Sequence, residues 1–143
     1  MFEMLELIKW TVLLAGLSVM ALIDWKKQKI YLLMVIVIGC VGLGIHIFLM
    51  DMTIADIFFG VLPGVIMLLL GYFTEEHIGY GDGFTFIMTG IYLGGRKNLT
   101  LLVISSVLAG FYALILLIIR KKNRQDRIAY IPFVLLGYII LMI

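Results

Sequence analysis

Leu99–Ile119 reads LTLLVISSVLAGFYALILLII and carries no charged side chain along its length. A transmembrane helix needs about 20 predominantly apolar residues to cross the hydrocarbon core of a bilayer, and this stretch supplies them. The rest of the chain is of the same kind. Of its 143 residues, 64% are hydrophobic and 14% charged, with a mean hydropathy of +1.17. Soluble domains carry roughly 45–50% apolar and about 25% charged residues. A water-soluble core of this size cannot hide so much apolar side chain, which excludes a cytosolic globular enzyme and leaves no room for a separate soluble domain. The net charge of +2 is too small to suggest nucleic acid, and the lone Cys40 makes neither an internal disulfide nor a metal box.

On either side of this run, apolar stretches separated by charge or glycine bring the candidate spans to six: Leu5–Ile23, Ile30–Met50, Ile54–Phe73, Phe84–Leu93, Leu99–Ile119 and Ile128–Ile143. The fourth is short and the sixth is near the lower limit of length. Backbone polar groups in lipid must be satisfied within the segment, so the spans are helices, and the lack of period-two alternation excludes a barrel. The expected fold is an all-α six-helix membrane bundle in which residues 1–143 form one domain.

Charge sets the expected orientation. Glu3 and Glu6 precede the first span and Lys26, Lys27 and Lys29 follow it, the reverse of a cleavable signal peptide. With both termini outside, the inner loops hold Lys26, Lys27, Lys29, Arg120, Lys121, Lys122, Arg124 and Arg127, against Lys9, Arg96 and Lys97 in or beside outer segments. Such an excess of inner Lys and Arg fixes topology. The stretch Arg120–Arg127 reads as a topology anchor or a contact with anionic membrane lipid.

Ionisable groups at membrane depth are costly and tend to mark function. Glu3 and Glu6 lie near the N-terminus, Asp51 and Asp56 in an outer turn, and Asp126 in the basic loop. Asp24 and Asp82 are different. Asp24 directly follows the apolar run Val19-Met20-Ala21-Leu22-Ile23, and Asp82 lies in Gly79-Tyr80-Gly81-Asp82-Gly83. The second and third spans separate them, and two crossings return the chain to the side it left. Both carboxylates therefore belong at one face, the cytoplasmic one by the charge bias. Two carboxyl groups sharing a partly desolvated site do not ionise independently, so one proton can be held between them. That is what an aspartic protease requires: one carboxylate takes a proton from water while its protonated partner polarises the scissile carbonyl. Glycines beside Asp82 permit close approach of a substrate strand, and the start of a helix favours an acid. The blander alternatives are an interfacial Asp24 paired with Lys27 and an Asp82 that merely caps a helix.

This pattern resembles the type IV prepilin peptidases, the GxGD class of membrane aspartic proteases. The likeness spans nearly the whole chain: the six spans, Asp24-Trp25-Lys26-Lys27-Gln28-Lys29-Ile30 at the inner end of the first, Gly79-Tyr80-Gly81-Asp82 before the fourth, and Pro132-Phe133 with Gly137 in the last. It implies that Asp24 and Asp82 cut a basic leader from prepilin or pseudopilin precursors at the cytoplasmic face of a prokaryotic plasma membrane, with no metal or other cofactor. The methyltransferase insert of longer relatives and its four-cysteine pattern are absent, so proteolysis alone is expected. The chain departs from the family at Phe84, where a Lys is common, and at Tyr31-Leu32, where Pro-Asn is frequent.

The residues expected to meet substrate are Gly79, Gly81, Glu75, Glu76 and Lys27, the two glutamates by docking a basic leader; a solvated loop is the plainer reading of Glu75, Glu76 and His77. His46 lies near the outer end of the second span, away from the chemistry. Gly60 with Gly64, and Gly90 with Gly94, have the spacing that lets membrane helices pack closely. Pro63 removes a backbone donor from the third span and kinks it or loosens it for gating. Outside the protease class, the same acids suit a non-catalytic scaffold or an ion-linked transport subunit, although transport acids belong nearer the bilayer midplane.

Overall fold

The computed structural model describes residues 2–74, 79–119 and 128–143, and its secondary structure is entirely helical. Five helices follow in order: α1 Phe2–Lys27, α2 Leu32–Leu49, α3 Ile54–Phe73, α4 Tyr80–Ile118 and α5 Ile131–Met142. The first four are long and apolar enough to cross a membrane, and α5 is a shorter apolar helix. Five helices stand where six spans are expected, because the fourth and fifth segments form the two limbs of α4 on either side of a non-helical residue.

Geometry requires the break between them. A straight helix of 39 residues would be about 58 Å long, nearly twice the roughly 30 Å hydrocarbon core. Instead α4 breaks at Gly94, with φ 72° and ψ 179°, a conformation open to glycine because it has no Cβ. Beyond the break the chain folds back. Asn98 Nδ2 donates to Phe86 O at 2.9 Å, two positions that a continuous helix would hold about 18 Å apart. The buried Asn98 also donates to Gly60 O of α3 at 2.7 Å and accepts from Thr89 Oγ1 at 2.7 Å. One amide thus ties both limbs of α4 to α3.

The other ends also have identifiable causes. Gln28, at φ 50°, closes α1 by donating its N–H to Asp24 O at 2.8 Å, and Met50 at φ 49° ends α2. Thr53 opens α3 through a reciprocal capping box with Asp56. Pro63 is buried within α3, which runs unbroken from Ile54 to Phe73. Pro132 lies in the first turn of α5, where a missing N–H is harmless.

Helix α4 packs against all four others. Its tightest partner is α3: a Cβ at Gly60 would collide with the Gly90 carbonyl, and one at Gly64 with the Ile87 amide and the Gly83 carbonyl. The glycine pairs therefore bring two backbones together, as their spacing predicts. The core joins Leu13, Leu17 and Met20 of α1 to Phe86, Met88 and Tyr92 of α4 and to Ile131, Val134 and Tyr138 of α5.

At the end of the bundle away from Asp24, the buried Lys9 ammonium donates to Asp51 Oδ2 at 2.5 Å. His46 Nδ1 meets Asp51 Oδ1 at 2.6 Å and His46 Nε2 donates to Ile91 O at 2.6 Å. Burial disfavours the Asp51 charge, but hydrogen bonds and charges from Lys9 and His46 outweigh it and hold the carboxyl below the usual carboxylate range.

Two expectations follow. Gly60→Ala should lower stability by about 1–3 kcal/mol through overpacking against backbone, whereas Gly44→Ala, which meets open space within α2, should be neutral or stabilising by up to about 1 kcal/mol; thermal unfolding in detergent compares them. Asp51→Asn strands the Lys9 ammonium and should cost about 2–3 kcal/mol at neutral pH. Because the folded state lowers the Asp51 pKa, this stabilisation is complete above about pH 4. It disappears as pH falls through the lowered value, so the melting difference between parent and variant should shrink only in acid.

Candidate active site

Asp24 is placed by the phase of α1. Lys9, Leu13, Leu17, Met20 and Asp24 recur at spacings of four and three, which puts them on one helical face, and all five are buried. Asp24 is the last member of this stripe and is 6% exposed. Its Oδ2 accepts from the Ile131 N–H at 3.0 Å, and the Tyr130 amide also hydrogen-bonds to it. These are the first amides of α5, for which Tyr130 supplies no side-chain cap. A carboxylate at the end of α1 therefore caps a helix 107 residues further along the chain, where orphaned amides and the positive end of the dipole favour an anion.

Asp82 is placed by the phase of α4. The helix begins at Tyr80, with Gly79 as N-cap, so Asp82 lies in the first turn rather than ahead of the helix. Asp82, Phe86, Thr89 and Leu93 form one stripe; the last three are buried and Asp82 is half-buried. The Asp82 N–H donates to Gly79 O at 3.1 Å, and a Cβ on Gly79 would sit 3.1 Å from Asp82 Oδ2. The two carboxyl groups are near enough for the charge of Asp24 to act on Asp82.

Gly81 joins the two sequence motifs physically. A Cβ there would lie 2.7 Å from Ile30 Cδ1 and 2.9 Å from Ile30 Cβ, so the missing side chain lets the segment after Asp24 close onto the turn that holds Asp82. Beside this contact is a cavity of about 210 Å³ lined by Ile30, Leu32, Tyr80, Gly81 and Phe84. At about 100° per residue, positions 80 and 84 face away from position 82 and position 81 lies to its side. Phe84 thus belongs to an apolar flank and does not stand beside the carboxylates.

Lys27 is exposed in the last turn of α1, its Nζ 6.0 Å from the centroid of the Tyr31 ring; Asp24 is held by amides of α5 instead. Glu75, Glu76 and His77 lie outside the described residues, as does Arg120–Arg127. Among the described residues no group of three or more His, Cys, Asp or Glu side chains is placed to hold a metal ion. Sequence reasoning missed Tyr130, whose hydroxyl lies 3.1 Å from Ser105 Oγ and 3.0 Å from Ser106 Oγ. The only prior signal was a pair of serines inside an otherwise apolar run.

Two carboxyl groups, Asp24 buried and Asp82 half-buried, lie at one end of a helical membrane bundle, and residues 11–114, which carry both, match the type IV leader peptidase family. The chain belongs to that family. A leader peptidase is a protease, and the apolar helices fit a multi-pass membrane protein. The matched stretch ends before α5. No curated protein and no solved structure matches the chain.

The two acids should differ in their effect on stability. Asp24→Ala removes a helix cap and should cost about 1–2 kcal/mol. Asp82→Asn keeps the side chain's size at a position that caps no amide of α5 and should leave the melting temperature unchanged or raise it. Thermal unfolding of the two variants in one detergent decides this.

Proposed function

We propose that this leader peptidase is an aspartic endopeptidase, with Asp24 and Asp82 as its catalytic pair, cleaving basic leaders from prepilin or pseudopilin precursors. The observation that carries the reading is that a buried and a half-buried carboxyl group from distant parts of the chain lie at one end of the bundle, within reach of each other's charge. In the reaction, a water between them attacks the scissile carbonyl carbon. The ionised carboxylate takes the water proton, and the protonated carboxyl hydrogen-bonds the carbonyl oxygen. Collapse of the tetrahedral intermediate breaks the C–N bond, and a carboxyl proton passes to the leaving amine. The precursor presents an extended segment, because a peptide bond inside a helix is shielded from attack.

The site lies at the cytoplasmic face of a prokaryotic plasma membrane, with both chain termini outside. Charge distribution supports this: the inner segments of that topology hold most of the Lys and Arg. Glu75 and Glu76 attract the basic leader, Lys27 stands at the rim, and Gly79 beside the Asp82 carboxyl leaves room for the substrate backbone, whereas the space at Gly81 is taken by Ile30.

Co-expression with a precursor that joins a basic leader ending in glycine to an apolar helix tests the proposal. The parent should convert the precursor to a shorter product. Asp24→Asn and Asp82→Asn should each abolish conversion, a loss of at least about 10³-fold, with membrane insertion intact. Conversion retained by either variant removes the mechanism.

A further inference from the structure

Tyr130 touches the supports of both carboxyl groups without being either of them. Its own N–H and that of Ile131 hold the Asp24 carboxylate. Its ring packs on Phe86, with centroids 6.2 Å apart, one turn from Asp82 on the same face of α4. The charge of Asp82 also reaches Tyr130.

The phenol is fixed from the far side. Ser105 is fully buried, and its hydroxyl donates to Leu101 O at 2.6 Å. A serine has one proton to donate, so toward Tyr130 it accepts, and the phenol donates to it at 3.1 Å. Having given its own proton, the phenol oxygen accepts from Ser106 Oγ at 3.0 Å. The resulting relay runs from Ser106 through Tyr130 and Ser105 to a helix carbonyl. A tyrosine has two side-chain torsions, so clamping both its ring and its hydroxyl leaves its main chain little freedom. Residues 128–130 lie outside any helix, and this clamp ties the Tyr130 main chain to α4.

We infer that Tyr130 is a positioning residue for the carboxylate pair: its phenol, clamped by Ser105 and Ser106, sets where the amides of Tyr130 and Ile131 hold Asp24. The inference rests on the reading of Asp24 and Asp82 as the catalytic pair. In this role Tyr130 acts through Asp24 and not on the substrate itself. Its effect is on the distance and aim of Asp24 relative to Asp82, and a displacement of about 1 Å in a reacting group can cost on the order of 10²-fold in rate.

The test uses the full chain in phospholipid nanodiscs with the leader–helix precursor as substrate. Tyr130→Phe keeps the ring and deletes the relay. It should lower kcat by roughly tenfold and leave KM within about twofold of the parent. The double variant Ser105→Ala/Ser106→Ala should lose the same factor, and adding Tyr130→Phe to it should cause no further loss, because the three groups act as one unit. An equal kcat in Tyr130→Phe and the parent overturns the inference, as does a change confined to KM. Hydrogen exchange at the Ile131 amide gives a second readout that needs no substrate. Tyr130→Phe should accelerate it while leaving α3 amides unchanged, and unaltered exchange contradicts the clamp. A parent that cleaves nothing while Ile131 exchange still responds supports the clamp and overturns the proposed protease.

Discussion

A helix that ends in or near lipid leaves backbone groups that water cannot satisfy, and something in the protein must satisfy them. Much of the polar chemistry of this small bundle answers that demand. Asp24 caps the first amides of α5 from the other end of the chain. Thr53 and Asp56 cap α3 reciprocally. His46 donates to the Ile91 carbonyl just before α4 breaks, where helix carbonyls run out of partners. Asn98 then binds carbonyls of both α3 and the first limb of α4. Every buried side-chain nitrogen or oxygen among the described residues has a hydrogen-bond partner, as a stable core in a low-dielectric medium requires.

The same demand brings the proposed chemistry into place. Helix α1 is a rod with one buried stripe, ended by Lys9 and Asp24 about 22 Å apart along the axis. Lys9 is locked to the α2–α3 turn through Asp51, and Asp24 to α5 through two amides. A rod pinned at both ends has a fixed rotation, which keeps its terminal carboxylate pointed inward. Asp82 approaches from the start of another buried stripe, on the helix that touches all the others. Rigid elements rather than loops thus carry both acids, which favours geometric control of a reacting pair.

Much of this was legible in the sequence because it depends on parity and period. Two uninterrupted apolar runs between Asp24 and Asp82 suffice to return the chain to one face, and the glycine spacing of residues 60, 64, 90 and 94 announces close packing. The start of α4 was misjudged because Gly79, Gly81 and Gly83 read as a turn, whereas tertiary packing draws Tyr80–Gly83 into the helix. The break at Gly94 was legible in the Gly-Gly-Arg-Lys-Asn stretch that separates the fourth and fifth spans, but only the fold-back reveals how Asn98 staples it. Asp24 as a cap for α5 joins residues at opposite ends of the chain, and Tyr130 reaches Ser105 and Ser106 across a helix interface. Local sequence pattern contains no term for such contacts. The apolar setting of Phe84 likewise follows from helical phase only once the helix is known to begin at Tyr80.

The most direct measurement is cross-linking of cysteines at positions 24 and 82, in a background with the exposed Cys40 replaced by serine, using a short bifunctional thiol reagent in native membranes. Carboxyl groups that can share one water predict efficient cross-linking within a single chain, with both positions labelled from the same side of the membrane. Cysteines that fail to join, or that label from opposite sides, would contradict the shared site.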